Sequence, residues 1–227
     1  MTRFTNALGV VLMAALLSLT MPQFGSAQAP QAVTDTLVSE SCGALENHYG
    51  PYDYRTRKDR LTVVEKHHFT PVVEALIRGQ EGYLGGDLSY VLATFPNHHR
   101  ALVAIVKFGA RAKSPQPPHL TYSIECYFLR ALQFQRDDIV VRMLYAQYIG
   151  TQGRQPEAIE QLAIVERLAA DNAFSIYNAG LVYFEIGAFD RALAAAHKAR
   201  ELGFERPDLE AWLRRDGRWQ DPVPAKQ

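Results

Sequence analysis

The residues able to do chemistry crowd into the first half of this chain. Cys42-Gly-Ala-Leu-Glu-Asn-His48-Tyr-Gly-Pro-Tyr-Asp-Tyr54 is followed by Glu65-Lys-His67-His68-Phe69 and then by His98-His99, so five of the seven histidines precede residue 100. Imidazoles near carboxylates are what a metal site, a haem site or acid–base catalysis would use. Their spacing argues against all three. Neighbours on a regular helix point about 100° apart, so an adjacent His pair cannot offer both rings to one ion. No HExxH, no CxxCH and no pair of histidines four apart occurs. The expectation is therefore that these rings pack and hydrogen-bond at loop–helix junctions, with a His-based metal protein as an alternative reading.

Nucleophilic chemistry has no better footing. There is no GxSxG, no phosphate-cradling glycine loop, and no cysteine beside an evident base; Asp53, Glu65 and Glu81 stand as isolated carboxylates. The glycines at 79, 82, 85 and 86 read as punctuation between helices. The run Arg55-Thr-Arg-Lys-Asp-Arg60 reads as solvated surface, with a docking patch for an acidic partner as its competitor. No catalytic residue, no metal ligand and no cofactor is expected. With 24 basic and 24 acidic residues the chain has no overall field that would draw it to nucleic acid or anionic lipid.

The N-terminus carries Arg3, a short apolar run over 7–19, and the small-residue exit Gly25-Ser-Ala27. The run is shorter than the roughly 20 residues a membrane-spanning helix needs. These are the parts of a secretory signal peptide, expected over 1–27 and cleaved before Gln28; a retained anchor is the competing reading. A periplasmic or secreted product follows, with no integral membrane segment after cleavage. Export brings an oxidising compartment, which permits a Cys42–Cys126 disulfide. The alternative, that Cys126 is simply a small core residue, stays open at this level.

What must position these residues is a helical repeat. Gly153 and Gly187 lie 34 residues apart, as do Ala158 with Ala192 and Leu168 with Leu202. Thirty-four is the period of a helix–turn–helix unit, and residues 173–206 resemble the tetratricopeptide (TPR) family: small residues at Gly180, Ala192 and Ala199, aromatics at Tyr183 and Phe189, and a turn at Gly187. Residues 139–172 match less fully, with Ala158 and Gly153 in place. Residues 97–113 and 120–134 read as a degenerate hairpin with Asn97 as N-cap, and 71–78 with 87–95 as another. The segments Gly50-Pro-Tyr-Asp-Tyr54, Glu65-Lys-His-His-Phe-Thr70 and Phe95-Pro-Asn-His-His-Arg100 also resemble exported bacterial TPR proteins, a likeness that bears on architecture and brings no activity.

The expected organisation is an irregular segment over 28–60, repeats over 61–206, a capping helix over 207–219 and a frayed tail over 220–227. The fold class is all-α, and the resemblance implies a right-handed superhelical stack of hairpins with that helix as cap. It further implies that a protein or peptide partner lies in a groove lined by the first helix of each hairpin. Carried onto this chain, the groove positions are Met143, Gln147, Phe174, Tyr177, Asn178, Leu181, Phe184 and Glu185, a largely apolar lining suited to a helix or an extended peptide. An accessory subunit of an envelope enzyme or transporter, in which the repeat is structural, is a reading of another class.

Overall fold

The computed structural model describes residues 40–222. The expected signal peptide and the chain end at 223–227 lie outside the described residues. Within them the protein is all-α, with no strand. The helices are α1 (Lys58–His68), α2 (Pro71–Glu74), α3 (Leu84–Thr94), α4 (His99–Ala112), α5 (Ile124–Phe134), α6 (Ile139–Thr151), α7 (Gln155–Ala169), α8 (Ala173–Glu185), α9 (Phe189–Glu201) and α10 (Pro207–Arg215).

The last two hairpins start and stop on local signals. Asp138 accepts from the backbone N–H of Val140 and Val141 to begin α6, and Asn172 accepts from Ser175 N–H to begin α8. Both first helices close in the same way. Gly153 (φ 79°) donates to Gly150 O while Arg154 N–H reaches back to Ile149 O; Gly187 (φ 78°) donates to Phe184 O while Ala188 N–H reaches Tyr183 O. That pair of bonds satisfies the orphan carbonyls of a helix end, and glycine adopts the left-handed turn without the penalty of a Cβ. Pro156 and Pro207 then sit in the first turns of α7 and α10, where a missing N–H costs nothing.

Close packing follows the same logic. Ala158, Ala192, Ala199 and Tyr183 are fully buried where α6 meets α7 and α8 meets α9. At Gly180 a Cβ would lie 3.0 Å from Ala195 Cβ and 2.7 Å from a methyl group of Leu209 on α10, so the backbone of α8 passes directly over both. Helices α4, α6 and α8 touch in sequence and form one row, and α10 packs on α8 and α9.

The first half departs from expectation. The helix anticipated over 71–78 is a single turn, α2, ended by Leu76 at φ 60°. The partner of α3 is instead α1, which buries Leu61 and Val64 from within a charged stretch. The N-cap of α4 is His98, whose ring accepts from Ala101 N–H, and Asn97 is used elsewhere.

Residues 42–57, irregular after the helical residues 40–42, form a strap across the second helices of the first two hairpins. Cys42 and Cys126 are disulfide-bonded, with Cα atoms 5.2 Å apart. Four residues along α5 from Cys126, the buried Arg130 gives one guanidinium nitrogen to the carbonyls of Cys42, Gly43 and Ala44 at 2.9, 2.6 and 2.7 Å. Its guanidinium also lies 4.6 Å over the Tyr122 ring. Asn47 and Tyr52 donate to Ala93 O and Thr94 O at the end of α3, and Tyr49 stands edge-on to Tyr52, whose ring tilts against Phe95.

Candidate functional site

Two places gather polar or apolar groups in a way that could serve a function: a buried polar cluster where the strap meets the α3–α4 turn, and a cleft along the row α4–α6–α8.

The cluster is built on Asn97, which is fully buried. Its carbonyl oxygen accepts from Tyr54 N–H at 2.9 Å, and its amide donates to Asp53 at 2.8 Å and to Asp138 at 2.9 Å. Each polar atom of that side chain is used, which is what makes its burial tolerable. His99 bonds Asp138 at 2.9 Å, and His98 bonds Glu65 of α1 at 3.1 Å. Arg55 holds Asp53 with paired bonds and reaches Gln135 and Asp137. Arg100 bridges Glu65 and Glu74.

The electrostatics follow from these contacts. Burial pushes the Asp53 carboxyl up, but Arg55 and Asn97 outweigh it and hold the group at about 2. Asp138 is likewise raised by burial and brought below its usual range by His99, Asn97 and the backbone of Val141. Burial pulls His98 below its ordinary value, against the opposing pull of Glu65. Four other histidines are also engaged with neighbours: His68 bonds Asp87 at 2.8 Å, His67 faces Glu81, His119 stacks on Tyr83, and His197 stands edge-on to Trp219. Asp87 also accepts from Gln80 and Glu81 N–H, so one buried carboxylate shapes the glycine-rich loop. Among the described residues no group of three or more His, Cys, Asp or Glu is placed to hold a metal ion.

The cleft lies between α4 and α6. Val103, Val106, Lys107, Phe128, Leu144, Gln147, Tyr148 and Thr151 enclose about 260 Å³. A second depression of about 210 Å³ shares Val103, Lys107 and Leu144 and extends toward Glu74, His99 and Arg100. The floor is apolar and the rim carries Lys107, which is exposed.

The groove residues expected from sequence divide. Gln147 on α6 donates to Glu185 on α8, joining the two helices along one face, with Met143, Asn178 and Leu181 half-buried on the same helices. Three aromatics are drawn instead to the C-terminal end. Tyr177 is buried and its hydroxyl accepts from Leu209 N–H at 3.2 Å; Phe184 lies 5.6 Å from Trp212; Phe174, 62% exposed, stands edge-on to Phe204. The capping contact therefore claims Tyr177 and Phe184. Sequence reasoning had no share for α4, whose Val103 and Lys107 complete the cleft, because its hairpin is the degenerate one. Arg130 was also missed, although its position four residues from Cys126 on one helix face was the available signal.

The fold and the site thus define a helical-hairpin protein with an apolar cleft and a disulfide-tethered strap. Comparison with protein-family models, with curated proteins and with solved structures finds no match to the chain. No helix among the described residues is long and apolar enough to cross a membrane.

Proposed function

We propose that the chain is an exported TPR-type scaffold, periplasmic or secreted, that binds a protein or peptide along the α4–α6–α8 row and performs no catalysis. The observation that carries this is the apolar cleft of Val103, Phe128, Leu144 and Tyr148 on that row, while the bonds of the strap go to α3, α5 and the adjoining turns. Two hairpins at a 34-residue period with the same glycine closure, a sequential row of first helices and a polar-faced cap support a superhelical stack. The disulfide fits an oxidising compartment.

A photo-crosslinking side chain placed at Leu144 or Leu181 tests the reading in the native envelope, with the same group at the exposed Ala194 of α9 as reference. Discrete adducts at 144 and 181 that vanish when Val103 is replaced by Glu are the expected result. Equal adducts at all three positions, or none at 144 and 181, would overturn it.

A further inference from the structure

The turn between α3 and α4 joins four elements through one fully buried imidazole. His98 Nδ1 accepts from Ala101 N–H at 3.1 Å, so that nitrogen carries no proton and the Nε2–H donates to Glu65 of α1. The ring lies 4.3 Å from Tyr54 of the strap and 4.8 Å from Phe69 at the end of α1. Beside it, Tyr54 also covers His99 at 5.0 Å, and its N–H is held by Asn97. Besides the hydrogen bonds of Asn47, Tyr52, Asp53 and Arg55, the strap therefore has two anchors of different kinds. One is covalent, at Cys42–Cys126. The other, at Tyr54, closes over an imidazole that must stay neutral to cap α4.

We propose that His98 is an acid-sensitive latch: protonation of its Nδ1 releases residues 47–57 and α1 from the α3–α4 turn, while the disulfide keeps the strap attached. A protonated Nδ1 cannot accept from Ala101 N–H. The new charge would sit at the start of α4, where the helix dipole disfavours a cation, next to the guanidinium of Arg100. Glu65 favours the charge, its carboxyl held below its ordinary value by the hydrogen bond from His98 and then by Arg100 and Lys58; Glu74 of α2 also faces the site and is already engaged by Arg100. The Tyr54 ring would welcome a cation as well. Burial and the lost cap oppose it, and the balance keeps the ring below its ordinary value.

The sign follows. The undocked ring binds a proton more readily than the docked one, so acid favours undocking, starting as pH falls through about 6.5. One proton gives up to about a tenfold loss in the docked-to-undocked ratio per pH unit below that. Asp53 and Asp138, both held below the usual carboxylate range, stay ionised across this window. Undocking would uncover Phe95 and Phe69, both buried under Tyr52 and the His98 ring. The tether makes the change reversible on neutralisation.

Hydrogen exchange of the full disulfide-bonded chain from pH 7.5 to 4.5, corrected for intrinsic rates, reads the latch directly. Protection of residues 47–68 should fall up to about fivefold between pH 6.5 and 5.5, while α7 and α9 keep theirs. The variant His98→Asn keeps an N-cap acceptor but cannot gain a proton, so its strap should stay protected at pH 5. Unchanged protection of 47–68 down to pH 4.5, or an equal acid loss in His98→Asn, overturns the proposal. If His98→Asn is already unprotected at pH 7.5, the wild-type His98 ring is titrated by NMR instead. Loss of protection coincident with its protonation supports the latch, and a protonated ring with the strap still protected refutes it.

Discussion

Replacing Gly180 by Ala sets two effects of similar size against each other, and the geometry decides between them. Alanine inside a helix is worth about 1 kcal/mol over glycine. Against that, the added Cβ would lie 2.7 Å from Leu209 Cδ2 and 3.0 Å from Ala195 Cβ, both well inside normal contact. Leu209 is fully buried and belongs to α10, so its methyl group must turn within a packed core or the capping helix must shift off α8, while Ala195 Cβ cannot turn away. Overpacking of this kind costs about 1–3 kcal/mol, so the net expectation is destabilisation by about 1 kcal/mol. Gly86 is the control: it lies in the first turn of α3 with nothing within 4 Å of its missing Cβ, and Gly86→Ala should stabilise by about 0.5–1 kcal/mol. Urea melts of both variants and of the wild type give the two signs. In a Leu209→Ala background most of the Gly180→Ala penalty should disappear, leaving only the Ala195 contact. Stabilisation by Gly180→Ala comparable to Gly86→Ala, or a penalty unchanged when Leu209 is shortened, would show that α10 does not bear on α8 as described.

Three further outcomes follow from other parts of the molecule. The disulfide closes a separation of 84 residues, so the double variant Cys42→Ser, Cys126→Ser should lose up to about 4.5 kcal/mol in the chain-entropy account, measured by urea melts against the oxidised wild type. At the end of α4, Lys113 occupies the left-handed position (φ 50°) that Gly153 and Gly187 fill elsewhere; Lys113→Gly should gain about 1 kcal/mol, and a loss of stability would refute the strain. Asp53 is depressed to about 2 from 3.8, so its contribution of about 2 kcal/mol is complete above pH 4 and drains away as pH falls to 2; Asp53→Asn should flatten that part of the acid limb in melts taken between pH 4 and 2.

The clearer half of the fold was legible because its signals are local. Asp138 and Asn172 begin α6 and α8 through their own side chains, and Gly153 and Gly187 end them by conformational need, so a few residues specify each boundary. The unclear half depends on contacts that span the chain. Leu61 and Val64 form a stripe in α1 that a charged neighbourhood disguises, and their burial depends on α3 arriving from beyond a loop shaped by Asp87. Asn97 has the right residue type for a cap, yet Asp53, Tyr54 and Asp138 recruit all of its hydrogen-bonding capacity, and the cap passes to His98. The groove suffered in the same way. A 34-residue carry-over places Tyr177 and Phe184 correctly on α8 but cannot register that α10 docks against them, nor that α4 supplies the opposite wall at Val103 and Lys107.

One division of labour accounts for both the strap and the cleft. In the first two hairpins the second helices, α3 and α5, spend their outer polar and cysteine groups on the strap: Ala93 O, Thr94 O, Cys126 and Arg130. The first helices of the second and third hairpins, α4 and α6, instead supply the cleft with β-branched and long apolar chains, Val103, Val106 and Leu144. Asp138 sits where the two systems meet, since it caps α6 and also receives Asn97, which holds the strap, and His99 from the first turn of α4. A change that loosens the strap at this turn therefore also loosens the start of both helices that line the cleft. That shared buried carboxylate gives the two surfaces a physical route of coupling, through hydrogen bonds that must be made or broken together.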